Sequence, residues 1–397
     1  MLKSRPFALA LLLLWLVGIS MRLPILAVPP VIPALRGEFN LTGTEIGILT
    51  GLPVVLFAAA ALLGSRLVAK LGAVTAVVIG LLLTAAGSAL RAVVPDVVTL
   101  FAATIVMGGG VAVIQPAMPA LVGKWLPHRI ALGTGTYTNG LLVGEVLPVA
   151  LFPLLFTLFA GSWRATFVFW AAPIALITVL VLALAPRARG AQTATAARWW
   201  PDWPLRDVLR LSLTFASASA LYYASNAFLP GHLIQENRAD LVNPALTALN
   251  FGQLPASLLL IGFGRWLERK VWPFVVAGAV SVICVVLLVI TAEPVTVIVS
   301  TGIFGFAIGA AFALCLTLPP LLSAPQEVAR LSAAMFTISY GSAMLVAVLS
   351  GAAWDITGIE SFAFLPIGLS ALPLLLLAPT IPFNRREAVL EQSRTSA

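Results

Sequence analysis

Long runs of apolar residues alternate with short polar segments along the whole chain. Each run approaches the ~20 residues that an α-helix needs to cross the hydrocarbon core of a bilayer. Twelve spans are predicted: 7–35, 44–66, 72–93, 96–123, 131–159, 163–185, 207–232, 243–264, 271–291, 294–322, 329–353 and 360–381. The pattern predicts an all-α integral membrane protein: a six-helix bundle at 1–185, a polar cytoplasmic linker at 186–206, and a second six-helix bundle with a short cytoplasmic tail at 207–397.

The composition supports a membrane protein and argues against nucleic-acid binding. The 397 residues are 60% hydrophobic and 10% charged, whereas soluble domains are about 25% charged. The net charge of +8 resides mainly in short loops between apolar runs. With the N-terminus in the cytoplasm, only Arg36, Arg91, Arg164 and Arg238 fall in loops on the other side, in keeping with the positive-inside rule. We expect a multi-pass bacterial inner-membrane protein with both termini in the cytoplasm.

The two halves repeat each other at an offset of about 200 positions. Gly109 and Pro119 in the first half match Gly309 and Pro319 in the second. Parallel repeats of this kind are related by an axis along the membrane normal, and the transporters built from them bind substrate between the repeats near the bilayer midplane. The repeat therefore predicts a central substrate site.

Specific segments resemble the major facilitator superfamily. The segment GSRLVAKLG at 64–72 is similar to the superfamily's loop between helices two and three, but Ala69 and Lys70 stand where that loop has Asp and Arg. Segments 20–55, 117–129 and 331–358 resemble the cyanate-permease-like branch, which also includes nitroimidazole-efflux proteins. The resemblance implies twelve helices in two pseudo-symmetric bundles, with helices one, four, seven and ten lining a cavity.

Arg22 is the first candidate for function. It lies about 22 Å along helix one, at 1.5 Å per residue, which is too deep for its side chain to reach the interface easily. A guanidinium keeps its proton, so it needs an anionic or carbonyl partner, and ionisable residues within a membrane are functional by default. We expect Arg22 to bind an anionic solute; the alternative is a structural ion pair with Glu145.

Glu145 is the second ionisable residue predicted deep within a span. The resemblance places its helix, the fifth, beside helix one. Burial and the approach of Arg22 would act in opposite directions on its proton affinity, which suits a proton-coupling group. The alternative is that Glu145 only neutralises Arg22.

Several uncharged polar residues are further candidates for substrate binding. Each lies deep in a predicted span or on a helix that the resemblance assigns to the cavity or the interface between bundles. Interfacial belt positions and packing remain alternatives for the tyrosines. These candidates are Gln115, Tyr137, Tyr222, Tyr223, Asn226 and Tyr340.

Prolines and histidines lead to weaker expectations. Pro24, Pro29, Pro30 and Pro33 should leave the outer half of helix one bent and partly unwound, because each proline removes a backbone N–H group. His128 and His232 are expected in loops at helix ends, with no role. We expect the glycine clusters around 108–110 and 302–309 to allow close helix packing.

The sequence favours a secondary transporter of a small anionic or weakly acidic solute, coupled to protons. The alternative is a proton-driven exporter of small drug-like or nitroheteroaromatic compounds. An enzyme is disfavoured because the spans contain no H-E-x-x-H motif and no paired Asp, and no sizeable soluble domain points to a receptor. Cys284 and Cys315 suggest neither a disulfide nor a metal site, and we expect no cofactor. The expected partners are the solute, protons and membrane lipids, and a monomer is expected.

Overall fold

The computed structural model describes residues 4–126, 129–186, 200–256, 258, 267, 270–323 and 327–381. Within these ranges the chain forms helices and connecting turns and no strand, which confirms the predicted all-α class. The chain divides into two compact units, residues 1–195 with 242–247 and residues 196–241 with 248–397. Most of the predicted linker and tail, residues 259–266 and 268–269, and His128 lie outside the described residues.

The α-helices are numbered in chain order. Those up to the middle of the chain are α1 Ser4–Leu26, α2 Ile32–Phe39, α3 Gly43–Leu71, α4 Ala73–Leu90, α5 Val97–Trp125, α6 Ile130–Ala150, α7 Phe152–Leu158 and α8 Trp163–Leu184. Those that follow are α9 Leu205–Gln235, α10 Val242–Phe251, α11 Trp272–Ile290, α12 Pro294–Leu322, α13 Val328–Thr357, α14 Phe364–Leu369 and α15 Leu372–Leu376.

The first predicted span is broken where its prolines cluster. Helix α1 ends at Leu26, a 3-10 turn occupies Pro29–Val31, and α2 follows. Pro29 and Pro30 have no N–H group to continue the α1 hydrogen-bond ladder, and the Val28 N–H instead donates to the Ile25 carbonyl at 3.3 Å. The predicted break in the outer half is confirmed, although Pro24 itself stays inside α1.

Two other predicted spans are also interrupted. Helices α6 and α7 meet at Leu151 with a bend of 47°, between Pro148 and Pro153. The last predicted span, 360–381, consists of a 3-10 turn at Glu360–Ala363, the short helices α14 and α15, and a second 3-10 turn at Ala378–Thr380. Proline at the start of a short helical piece is favourable, because its missing N–H has no intrahelical partner there.

Capping side chains mark where several helices begin. Thr42 and Glu45 form a reciprocal capping box at α3, and Asp96 and Thr99 do the same at α5. The backbone N–H of Thr99 donates to the Asp96 carboxylate at 2.8 Å and, as the largest cause, lowers the pKa of that carboxyl. Asp96 therefore stays negatively charged beside the positive end of the helix dipole.

Helix α9 differs from the other long helices. Eight helical segments in the described ranges, some of them interrupted, are long and apolar enough to cross a membrane, or nine if the bent pair α6–α7 counts as one span. Helix α9 is not among them, although it has 31 residues. Its serines, including Ser212, Ser217, Ser219 and Ser225, are buried against other helices. Because little of α9 faces lipid, it tolerates polar residues that a lipid-facing span would not.

Candidate functional site

Three glycines bring α1 and α6 unusually close together. A Cβ added at Gly18 would collide with the Tyr137 carbonyl, and a Cβ at Gly144 would collide with the Ile19 carbonyl. Gly140 likewise faces the Trp15 carbonyl. Gly140 and Gly144 form a G-x-x-x-G pattern, which allows two membrane helices to approach backbone to backbone. The pattern is present in the sequence as the segment GLLVG at 140–144 but was not among the predicted features.

The close approach places Arg22 beside Glu145. The Arg22 Nε lies 3.4 Å from Glu145 Oε1, and the two residues are only 6% and 5% exposed. The Arg22 guanidinium carbon lies 5.7 Å from the centroid of the Phe57 ring of α3, a cation–π distance. The structure therefore joins the two residues that the sequence singled out on chemical grounds.

This ion pair is buried and long. Charge-assisted hydrogen bonds between nitrogen and oxygen usually span 2.7–2.9 Å, so the separation of 3.4 Å is that of a loose pair. Removing two charges from water costs several kcal/mol per ion, and the cost is recovered only with excellent geometry and additional hydrogen bonds. A buried salt bridge is weak evidence of a stabilising role, because well-packed apolar residues in its place are often equally stable.

Gly144→Ala provides a test of the geometry. We expect it to lower the apparent melting temperature and to reduce transport, because the new methyl group meets the Ile19 carbonyl. Gly135→Ala in the same helix is the matched control, since nothing lies within 4 Å of a Cβ there. Replacing a helical Gly with Ala contributes up to about 1 kcal/mol of helix propensity, so the control should be neutral or more stable. Equal effects in thermal denaturation of the two purified variants would contradict the close-contact argument.

Arg91 is buried, although the sequence predicts it in a loop on the outer side of the membrane. It follows the last turn of α4 and is fully buried. One Nη group donates to the Pro24 carbonyl at 2.8 Å, and its guanidinium carbon lies 4.5 Å from the centroid of the Phe167 ring. Nε and the other Nη have no hydrogen-bond partner in the described part of the chain. Arg91 therefore supplies a donor to the carbonyl two residues beyond Arg22, just before the break in helix one.

Two of the other predicted loop arginines do bind acidic partners near the surface. The Arg164 guanidinium donates two hydrogen bonds, of 2.7 and 2.6 Å, to the Glu38 carboxylate. Arg238 binds Asp240, and this interaction is the largest cause that lowers the pKa of the Asp240 carboxyl. Arg91 alone among these three turns inward.

The second unit holds an uncharged polar cluster, which we call the Tyr222 cluster: Tyr222, Asn226 and Asn250. The Tyr222 hydroxyl donates to the Asn250 side-chain carbonyl at 2.6 Å. The Asn250 amide donates to the Asn226 side-chain carbonyl at 2.9 Å, and the Asn226 amide donates to the Tyr222 backbone carbonyl at 3.0 Å. All three residues are buried.

Tyr222 and its neighbour Tyr223 are both buried in the interior of the second unit. Tyr223 packs edge-on against Tyr222 with ring centroids 5.1 Å apart and is equally buried. A membrane-interface belt position is therefore wrong for both tyrosines. Asn250 was not predicted from the sequence, although it is one of three amide side chains in the segment NPALTALNFGQ at 243–253.

The remaining polar candidates lie in different environments. Gln115 is half-buried in α5 and makes no hydrogen bond within the described residues. Tyr137 is half-buried in α6, with its backbone against Gly18 of α1. Tyr340 is fully buried and stacks on Phe336 with ring centroids 5.5 Å apart, which favours the packing alternative for that residue.

His232 lies inside a helix, so its expected loop position is wrong. It is buried in the last turn of α9, and its Nε2 donates to the Leu288 carbonyl at 2.8 Å. Its ring packs edge-on against Phe364 at 5.2 Å between centroids. Because the sequence around it is polar, its burial depends on the packing of α11 and α14 and was not visible in the sequence.

Comparison with known proteins identifies the family. The family model described as Major Facilitator Superfamily matches residues 10–348. The chain belongs to the major facilitator superfamily. This superfamily member is therefore a membrane transporter rather than an enzyme, and its bacterial relatives indicate the bacterial inner membrane.

Two relatives from Escherichia coli strain K12 are similar over much of the chain. The cyanate transport protein CynX is 28% identical over 66% of this chain and 68% of its own length. The 2-nitroimidazole transporter is 26% identical over 90% of this chain and 91% of its own length. The resemblance to the branch that contains these transporters is confirmed.

Solved structures confirm the fold. A nucleoside transporter has a TM-score of 0.76 at 13% identity and aligns with 94% of this chain and 100% of its own. A D-xylose–proton symporter has a TM-score of 0.75 at 13% identity and aligns with 95% of this chain and 97% of its own. At this identity the likeness establishes the superfamily fold alone.

Proposed function

We propose that this protein is a proton-coupled carrier of a small anionic or weakly acidic solute, with Arg22 as the anion ligand. The observation that carries the proposal is the buried pair of opposite charges formed by Arg22 and Glu145. Arg22 lies on α1, four residues before that helix ends. Its charge is therefore beside a segment in which the helical hydrogen-bond ladder is interrupted.

Charge balance gives the proposed coupling. Arg22 stays protonated. Its burial in a low-dielectric site is therefore costly unless a negative charge lies close to it. Glu145 supplies that charge when no solute is bound. When an anion binds Arg22, a proton binds the Glu145 carboxylate, and the site again contains one positive and one negative charge. Movement of anion and proton together therefore avoids burying an extra charge.

We assign contacts with the uncharged groups of the solute to the other candidates, except Tyr340. Gln115 presents an amide without a hydrogen bond in the described structure, and Tyr137 lies on α6, the helix that carries Glu145. The Tyr222 cluster and Tyr223 contain no charged side chain, so charge recognition falls to Arg22. Tyr340 is assigned to packing.

The alternative is a proton-driven exporter of nitroheteroaromatic or small drug-like compounds. Similarity to a 2-nitroimidazole transporter over 90% of the chain favours it. The two functions differ in the charge of the solute and in the direction of transport.

Ligand stabilisation followed by transport in proteoliposomes tests the proposal. We expect a small anion from a panel of cyanate, nitrite and short carboxylates to raise the melting temperature of the purified protein, because a ligand that binds the native state stabilises it. The same anion should accumulate in proteoliposomes with an alkaline interior, and a protonophore should abolish the accumulation. If 2-nitroimidazole alone stabilises the protein, and it moves only in the direction opposite to the proton flux, export would be supported instead. No accumulation of any panel member in either direction would contradict both functions.

A further inference from the structure

A cavity of about 510 Å³ lies where the start of α9 meets the end of the last predicted span. Helix α9 contributes basic and apolar side chains to it, and the final 3-10 turn closes the other side. The lining residues are Leu205, Arg206, Leu209, Arg210, Leu213, Leu377 and Thr380. We call this space the α9 cavity; it belongs wholly to the second unit and holds none of the proposed transport residues.

The α9 cavity combines an apolar strip with two cations. Leu205, Leu209 and Leu213 follow one another at four-residue intervals, so they lie on one face of the helix. Leu205 is 59% exposed, and Leu209 is also exposed. Arg206 and Arg210 have the same four-residue spacing and lie on a neighbouring face. An exposed leucine strip edged by arginines matches a ligand with an acyl chain and an anionic group.

The charge of the cavity is unbalanced. Arg210 pairs with Asp207, with 3.2 Å between Nη1 and Oδ1. Arg206 is exposed and has no acidic partner within the described residues. One positive charge therefore remains for an external anion, beside leucines that water solvates poorly.

We propose that the α9 cavity binds an anionic phospholipid, with the phosphate at Arg206 and an acyl chain along Leu205, Leu209 and Leu213. Basic pockets between membrane helices at the bilayer surface bind lipid headgroups through this combination of groups. The guanidinium fork of arginine suits phosphate oxygens. Helix α9 also carries Tyr222 and Asn226 of the Tyr222 cluster. The lipid would therefore stabilise the position of the first turns of that helix.

Native mass spectrometry of the full-length, delipidated protein tests this site. We expect the wild type to retain phosphatidylglycerol more tightly than phosphatidylcholine. Arg206→Ala should weaken retention of phosphatidylglycerol about fivefold, the ratio expected when one basic residue near the surface is lost. Lys270→Ala is the matched control, since it removes one positive charge outside the cavity lining and should leave retention unchanged.

A second variant and a second probe separate lipid from free phosphate. Leu209→Ser should weaken binding of phosphatidylglycerol while the guanidinium of Arg206 stays in place. Inorganic phosphate at the same concentration should not displace the lipid. Displacement by phosphate would identify a free-anion site and overturn the proposal, as would equal losses in Arg206→Ala and Lys270→Ala. Equal retention of the two lipids by the wild type would also overturn it.

Discussion

Arg22→Ala should abolish transport of the anionic solute in proteoliposomes, with at least a hundredfold loss in initial rate. The substitution removes the fixed positive charge that the solute would meet in α1 and leaves the Glu145 carboxylate without the cation 3.4 Å away. Removal of one partner of a buried charge pair between a protein and its ligand costs about 2–5 kcal/mol of binding energy, and each 1.4 kcal/mol corresponds to a tenfold change in affinity. Radiolabelled uptake at saturating and limiting solute measures both affinity and rate.

Two companion variants separate binding from folding. The double variant Arg22→Ala with Glu145→Gln has no unpaired carboxylate, so its thermal stability should recover relative to Arg22→Ala while uptake stays absent. Arg22→Lys retains the charge but not the planar fork, and we expect weakened rather than abolished uptake. Recovery of uptake in the double variant would show that Arg22 only neutralises Glu145, and Arg22 would then be removed from the substrate site.

Glu145→Gln should uncouple the carrier without stopping it. Proton-driven accumulation should be lost, because the amide cannot exchange a proton, whereas exchange of labelled for unlabelled solute across the membrane should continue. The anion would no longer compete with a carboxylate for Arg22, so its apparent affinity should rise. Counterflow measures exchange, and uptake under an imposed pH gradient measures coupling.

Glu38→Gln is the control for this uncoupling. Glu38 is also a carboxylate that binds an arginine, Arg164, but it lies in α2 and is exposed to solvent. Accumulation in Glu38→Gln should match that of the wild type. Continued accumulation by Glu145→Gln under the same gradient would show that another group carries the proton.

The sequence predicted the parts of the site that depend on the cost of charge in lipid. Arg22 and Glu145 stand out because a charged residue at the centre of a span costs at least about 2.5–3.5 kcal/mol, and the structure brings them together. Pro29 and Pro30 likewise predicted the break after α1, since the loss of an N–H group is a local property of the residue.

Features created by packing were not predictable in the same way. Arg91 follows a helix and precedes the segment AVVPD at 92–96. Nothing in this local sequence shows that its side chain turns towards the Pro24 carbonyl. Asn250 joins the Tyr222 cluster only through partners 24 and 28 positions away. Gly144 is part of a recognisable G-x-x-x-G pattern, but its contact with Ile19 depends on which helix packs against α6.

The polarity of α9 has a consequence for how the protein is made. A helix leaves the translocon for lipid according to the hydrophobicity of its own side chains, and α9 contains four buried serines, Asn226 and two arginines near its start. Ser219 binds Ser339 of α13 through their hydroxyls at 2.8 Å, yet α13 is synthesised about 100 residues later. We therefore expect stable insertion of α9 to depend on a helix that the ribosome makes later, so that the second half inserts cooperatively rather than one helix at a time.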